Sequence, residues 1–275
     1  IPQDGRLSVN AYGRKVDLRV ATLPTVWGEK VVMRILDNST AMLDLKDLGF
    51  TGGNFDRYQT SYLKPYGMIL VTGPTGSGKS TSLYAALNSL NRPEKKVITV
   101  EDPVEYRLPR LSQVQVNTKI GLDFAAVLRS ALRQDPDIIL VGEMRDQETA
   151  EIGLRAAMTG HLVLSTLHTN DAVGTADRLL DMGAPGYLLA ASLRVIIAQR
   201  LVRRVCDSCG ERYLPDANDQ AWLAEVRPGA STDRLRRGRG CQHCNGTGYR
   251  GRIGVYEYLE PVSYTHLRAH ETIAL

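Results

Sequence analysis

Gly73-Pro74-Thr75-Gly76-Ser77-Gly78-Lys79-Ser80 reads G-x-x-x-x-G-K-[ST], a spacing with a defined chemical use. Its glycines let backbone N–H groups turn inward around phosphates, a helix starting at its end adds partial positive charge, and Lys79 brings a mobile cation to the terminal phosphates. Ser80 offers a hydroxyl to Mg²⁺, a role that Thr81 can share or replace. A Gly-rich turn could meet the pattern by chance, but the apolar strand Met68–Val71 before it and a helix over 80–91 after it supply the context the pattern needs.

Three further apolar runs end in reactive residues. Val97–Val100 leads into Glu101-Asp102-Pro103-Val104-Glu105, Ile138–Val141 into Gly142-Glu143-Met144-Arg145-Asp146, and Leu162–Leu164 into Ser165-Thr166-Leu167-His168. Strand ends are where ligands collect in open parallel sheets. A carboxylate there can hold Mg²⁺ through water or orient an attacking water. Glu143 is assigned the second role. Glu101, Asp102 and Glu105 read equally well as solvated acidic loops that cap helices. A lone histidine is more often a structural hydrogen-bonder than a catalytic group, but the position of His168 at a strand end favours function; His161 precedes the same strand.

All four cysteines fall in two C-x-x-C pairs, Cys206/Cys209 and Cys241/Cys244, with Gly210 and Gly246 close behind them. Such knuckles supply four thiolates in the tetrahedron that Zn²⁺ prefers, and the glycines let backbone N–H groups turn toward sulfur. Disulfides are the alternative. A reducing compartment and the doubled, glycine-flanked pattern favour zinc.

These residues need elements to position them. Alternation in Val16–Val20 and Lys30–Leu36 around a turn-rich 23–28 predicts a small antiparallel sheet. From Leu45 short apolar strands alternate with helical patterns, which predicts an α/β fold with a parallel sheet. Phe124, Val127, Leu128, Ala131 and Leu132 share one helical face behind Asp123, and 186–205 reads as helical. The segment Cys206–Cys244 has little apolar periodicity and reads as an appended module.

The chain has 275 residues with 43% apolar content, enough for a substantial core, so intrinsic disorder is excluded. Its net charge of +4 is too small to establish a nucleic-acid or membrane-surface protein. No run approaches the roughly 18 apolar residues of a membrane span, and Ile1–Arg6 forms no signal peptide. A cytoplasmic protein is expected, beginning in a polar segment as a fragment of a longer chain would. Arg227, Arg234, Arg236, Arg237 and Arg239 form a local basic patch with Trp222 nearby. With so little stacking capacity it reads as a solvated or protein-docking face.

The phosphate loop, Ile98–Tyr106, Asp135–Asp146 and Thr159–Asp171, in that order, resemble the bacterial type II secretion and type IV pilus assembly ATPases over about residues 1–259. The family names these motifs Walker A, Asp box, atypical Walker B and His box. Residues 198–203 and 241–252 are similar to the branch driving mannose-sensitive haemagglutinin-type pili, with general secretion members close behind. The resemblance implies a RecA-like P-loop NTPase core at 45–200. Before it would lie the C-terminal part of a small α+β domain at 1–44, and after it a tetracysteine zinc module and C-terminal segment at 201–259. It further implies ATP, Mg²⁺ and Zn²⁺ as cofactors, with Gly73 to Thr81, Glu101 and Glu105 at the nucleotide and Glu143, Lys79 and His168 in catalysis. Arg19 and Arg34 fall where the family carries arginine fingers; periodicity alone reads them as exposed strand residues. A homo-hexamer working beneath an inner-membrane platform is implied, peripheral to the membrane and without nucleic acid. The tail 260–275 is of uncertain origin, departing from the family after Pro261, and its His266, His270 and Glu271 do not form H-E-x-x-H.

An ATP-hydrolysing ring motor for pilus assembly or secretion is therefore the leading expectation. A nucleic-acid-directed RecA-like motor is the alternative, disfavoured by the charge and the lack of interleaved aromatics. A nucleotide-sensing scaffold without turnover is a third, disfavoured by the presence of both Lys79 and Glu143.

Overall fold

The computed structural model describes residues 1–11, 13–36, 45–50, 53–229, 231–233 and 235–261. Arg234, the tail residues His266, His270 and Glu271, and the stretch 37–44 where the first expected domain ends lie outside the described residues. The chain divides into two compact units, one running from Ile1 to Arg200 and resuming at Tyr256, the other Leu201–Val255.

In the first unit, β1 (Gln3–Ala11), β2 (Arg14–Thr25) and β3 (Gly28–Leu36) form an antiparallel sheet in that order. Successive side chains of a strand alternate between faces. The register therefore gathers Leu7, Leu18 and Ile35 on one face and Arg6, Arg19 and Arg34 in a row on the other.

The chain then runs through α1 (Asn54–Tyr62), β4 (Gly67–Thr72), α2 (Lys79–Leu90), β5 (Val97–Glu101), β6 (Ser112–Gln115), α3 (Phe124–Ala131) and β7 (Ile138–Val141). It continues through α4 (Gln147–Met158), β8 (Leu162–Leu167), α5 (Val173–Asp181), α6 (Gly186–Ser192) and β9 (Leu193–Val205). With β12 (Tyr249–Leu259) at its edge, the seven-stranded sheet has the order β12-β9-β4-β8-β7-β5-β6. Every pairing from β9 across to β6 is parallel.

The strands β4, β5, β7 and β8 are buried along their whole length, which is why they read as near-continuous apolar runs rather than as alternating ones. Within β4, Ile69 and Val71 pack with Leu83 and Leu87 of α2 on one face, while Met68 and Leu70 pack with Leu128 of α3 and Leu154 of α4 on the other. Helices thus cover both sides of the sheet. Helix α3 begins as expected: Asp123 caps it by accepting from the Ala126 N–H at 2.8 Å.

One expected element is corrected. Only Gly186–Ser192 of the stretch 186–205 is helical; Leu193–Val205 is a strand, parallel to β4 with Ile69 opposite Val195. An apolar run of that length fits either a buried helix or a buried strand. The β-branched Val195, Ile196 and Ile197 decide it, since Val195 and Ile197 enter one core layer and Ile196 the other.

The second unit holds β10 (Gly210–Arg212) paired antiparallel with β11 (Arg236–Gly238), and α7 (Ala217–Val226), whose cap Asp216 accepts from the Asp219 N–H. Among the described residues, no helix is long and apolar enough to cross a membrane.

Candidate active site

Parallel pairing brings the ends of β4, β8, β7 and β5 to one edge of the sheet. Thr72 is opposite Leu167, Val141 opposite Ser165 and Val100 opposite Val141, so the phosphate loop, His168, Glu143 and the acidic loop all leave from neighbouring strands.

The phosphate loop joins β4 to α2. Gly73 has φ 140°, and a Cβ there would lie 2.3 Å from the Gln199 carbonyl oxygen and 2.7 Å from Ser77 Oγ, so no other residue fits. Gly78, at φ 89°, turns the chain into α2 from the left-handed region. Lys79 is buried, and its Nζ donates to the carbonyls of Gly73 at 2.8 Å and Pro74 at 3.0 Å. Ser77 Oγ is buried with no hydrogen-bond partner among the described residues. A buried hydroxyl left so costs about 1–3 kcal/mol, and it fits a cradle whose partner is an anion's oxygen. Ser80 is exposed and Thr81 half-buried.

Lys79 Nζ lies 3.4 Å from His168 Nδ1, and His168 Nε2 lies 3.6 Å from Glu143 Oε2. The other oxygen of Glu143 pairs with Arg145 Nη2, and Arg145 Nη1 reaches Asp102 Oδ2 at 3.3 Å. A chain of alternating groups thus runs Lys79, His168, Glu143, Arg145, Asp102. Burial lowers the pKa of Lys79, against the pull of Glu143. Burial also lowers that of His168, helped by the Lys79 ammonium and opposed by Glu143. The Glu143 hydrogen bond raises that of Arg145.

Both loops are pinned locally. Met144 N–H donates to Thr166 O at 3.1 Å, Thr166 Oγ1 to Gly142 O at 2.7 Å, and Asp146 caps α4 through the Thr149 N–H. Thr169 N–H donates to Thr72 Oγ1 at 3.0 Å, fixing the turn after His168 to the end of β4.

The acidic loop divides. Glu101 is 5% exposed and accepts from Tyr84 Oη, from Thr99 Oγ1 at 2.5 Å and from Gln113 Nε2 at 3.2 Å. Its side chain is held by the framework behind the loop, and among the described residues it makes no hydrogen bond or ion pair with Lys79, His168 or Glu143. Gln113 also donates to Tyr106 O and accepts from the Leu108 N–H, bracing the loop. Glu105 is half-buried on that loop. Arg19 and Arg34 face each other across β2 and β3, and neither pairs with Lys79, His168 or Glu143 among the described residues. Arg6, opposite Arg19, donates to Val104 O.

Sequence reasoning passed over four supporting residues. Arg145 stands two positions after Glu143, where it was legible as a cation beside a carboxylate. Gln199, which seats Gly73 and accepts from Ser82 Oγ at 2.8 Å, and the pair Tyr84 and Gln113 have no local signal.

In the second unit, the sulfurs of Cys206, Cys209, Cys241 and Cys244 all lie within 4.8 Å of one another. The separations Cys206–Cys241, Cys209–Cys244 and Cys241–Cys244 are 3.9, 3.8 and 3.7 Å. A disulfide needs about 2.05 Å, and all four cysteines are free. A tetrahedron with metal–sulfur bonds of about 2.3 Å has edges of about 3.8 Å, so the set fits Zn²⁺. Burial opposes ionisation of Cys244, and the N–H groups of Cys241 and Gly248, each 3.2 Å from its sulfur, together with the Cys241 and Cys209 thiols more than offset it, bringing the thiol down to about 6. Arginines of the basic segment have partners within this unit: Arg236 donates to Gly210 O, Arg237 lies over the Tyr213 ring and Arg239 pairs with Glu211.

Comparison with known proteins agrees with this geometry. The family described as "Type II/IV secretion system protein" matches residues 1–272, beyond the 259 to which the sequence resemblance extends. A "Type II secretion system protein E" of Pseudomonas aeruginosa is 51% identical over 269 residues, covering 98% of this chain and 53% of the relative. The "Type IV pilus assembly ATPase PilB" of Myxococcus xanthus is 52% identical over 262 residues, covering 94% and 46%. The chain spans about half the length of the curated relatives it matches. Among solved structures, the pilus retraction motor PilT with bound ADP superposes with a TM-score of 0.70 at 30% identity, over 99% of this chain and 68% of that one. The core of this chain is accordingly a RecA-like P-loop NTPase fold.

Proposed function

The chain belongs to the type II/IV secretion system protein family, and on that premise we propose that the protein hydrolyses ATP and couples the reaction to mechanical work in pilus assembly or protein secretion. The observation that carries this reading is the convergence of Lys79, His168 and Glu143 within 3.6 Å contacts beside a loop that only glycine can form at position 73.

In this reading Gly73 to Lys79 cradle the phosphates of Mg-ATP, and Ser80 or Thr81 gives the metal a hydroxyl ligand. Lys79, folded onto the loop carbonyls in the present structure, turns its ammonium to the terminal phosphates. Glu143 orients a water whose oxygen bonds to the γ-phosphorus while the bond to the β–γ bridging oxygen breaks. The water's proton passes to the carboxylate, and ADP and phosphate leave. His168, kept neutral by burial and by Lys79, turns Nδ1 to the Lys79 ammonium and directs its single N–H, on Nε2, to Glu143. Glu105 holds water at the metal, and Glu101 holds the loop that carries it. Arg19 and Arg34 deliver their guanidinium groups to the terminal phosphate when the small sheet closes on the site.

The working form in this reading is a homo-hexamer at the cytoplasmic face of the inner membrane, docked on a platform protein. The relatives' names support a place in secretion or pilus systems. The four cysteines hold one structural Zn²⁺. The internal pairing of Arg236, Arg237 and Arg239 speaks against a nucleic-acid face. Replacing Lys79 by Ala tests the phosphate site: ATP turnover is lost, and near-normal hydrolysis in that variant would overturn the assignment.

A further inference from the structure

Arg145 connects two carboxylates that leave different strands. One guanidinium nitrogen pairs with Glu143 Oε1 and the other lies 3.3 Å from Asp102 Oδ2. Glu143 is the sheltered partner, with 18% of its side chain exposed against 56% for Arg145 and 39% for Asp102. The arginine therefore spans the solvent side of Glu143 and is anchored at its far end by Asp102. Both ends are firmly based: Asp102 follows β5, Glu143 follows β7, and the Gly142 N–H donates to Val100 O at 2.7 Å between them.

A carboxylate on a flexible side chain has two freely rotating torsions beyond Cβ, and orienting a water requires that they be fixed. A planar guanidinium engaged at both ends can fix them, whereas an ammonium offers a single point. The opposite oxygen of Glu143 is then left toward His168, at 3.6 Å, and through it toward Lys79.

We propose that Asp102 and Arg145 form a strut that sets the orientation of Glu143, making both of them positioning residues for ATP hydrolysis. The proposal rests on Glu143 being the group that orients the water. Among the described residues neither Asp102 nor Arg145 hydrogen-bonds or pairs with the phosphate loop, so their loss acts on the rate and leaves nucleotide affinity nearly unchanged.

The test is a double-mutant cycle in the purified protein, reading kcat and KM for ATP in the parent, Arg145→Ala, Asp102→Asn and the double variant, with Glu143→Gln alongside and thermal melting for each. Misplacing a reacting group by about 1 Å can cost up to about 100-fold, so Arg145→Ala lowers kcat about 10-fold or more with KM within about twofold. Asp102→Asn lowers kcat about threefold in the parent and has no further effect when Arg145 is already Ala, because a shared contact makes effects non-additive. Arg145→Lys fails to restore the parental rate. An equal effect of Asp102→Asn in both backgrounds, a parental kcat in Arg145→Ala, or a KM that rises as kcat falls would overturn the strut. If Glu143→Gln itself turns over normally, the reading of Glu143 fails instead.

Discussion

Tyr84→Phe isolates the framework behind the acidic loop. The ring of Tyr84 is 2% exposed, so removing the hydroxyl leaves packing intact and opens no cavity a methyl could fill. What is lost is the hydrogen bond to Glu101, a carboxylate that is 5% exposed and accepts from two other side chains, Thr99 and Gln113. A hydrogen bond to a charged group contributes about 1.5–3 kcal/mol, and with two donors remaining the loss falls toward the lower end, about 2 kcal/mol. For a chain of this size each kcal/mol moves Tm by about 2–4 °C, which predicts a drop of about 4–8 °C by differential scanning calorimetry. ATP affinity, measured by titration calorimetry at a temperature where both proteins are folded, stays within about threefold because the hydroxyl faces Glu101 and not the phosphate loop. A Tm within about 1 °C of the parent, or a large loss of affinity with Tm unchanged, would refute the reasoning and place Glu101 at the nucleotide.

Metal analysis should give about one zinc per chain, with Cys206→Ser or Cys241→Ser destabilising the second unit and leaving the phosphate loop intact; iron–sulfur absorbance would contradict this. For His168, the folded chain takes up its proton at a lower pH than the unfolded chain, whose value is about 6.5. Its neutral form therefore costs nothing above that pH, and stability is lost as pH falls through the folded value. His168→Gln should flatten the fall of Tm on acidification below pH 6.5, and an unchanged slope would contradict the assignment. Turnover per chain should rise with protein concentration as rings assemble, and Arg19→Ala and Arg34→Ala should lose that rise, since fingers supply about 10³–10⁵-fold. A concentration-independent parent, or parental rates in verified variant hexamers, would return both to an exposed-strand role.

The strands that carry the site were legible because β4, β5, β7 and β8 are buried on both faces and read as near-continuous apolar runs, broken only by Thr72, Thr99, Ser165 and Thr166, that lead into Gly73, Glu101, Gly142 and, beyond Leu167, His168. The phosphate loop and the paired cysteines were legible because their chemistry demands fixed spacing. Leu193–Val205 was not, since a run such as Val195-Ile196-Ile197 satisfies a buried helix as readily as a buried strand until its neighbour β4 is known. The division of the acidic loop was hidden for a related reason: Glu101 and Glu105 differ in burial and partners, and Tyr84 and Gln113, which separate them, come from other elements. The part played by Arg145 likewise depends on Asp102, which follows β5 while Arg145 follows β7, the two brought together only by the parallel pairing of those strands.

The central claim, that this sheet edge hydrolyses ATP with Glu143 directing the water, is tested most directly by Glu143→Gln in a paired measurement of ATP binding and single-turnover hydrolysis. The amide keeps the size of the side chain but cannot direct or deprotonate water as the carboxylate does. Binding within about threefold of the parent, with hydrolysis slowed by about 10²–10⁴-fold, is the predicted result. Parental hydrolysis in Glu143→Gln, together with a dead Glu105→Gln, would contradict it.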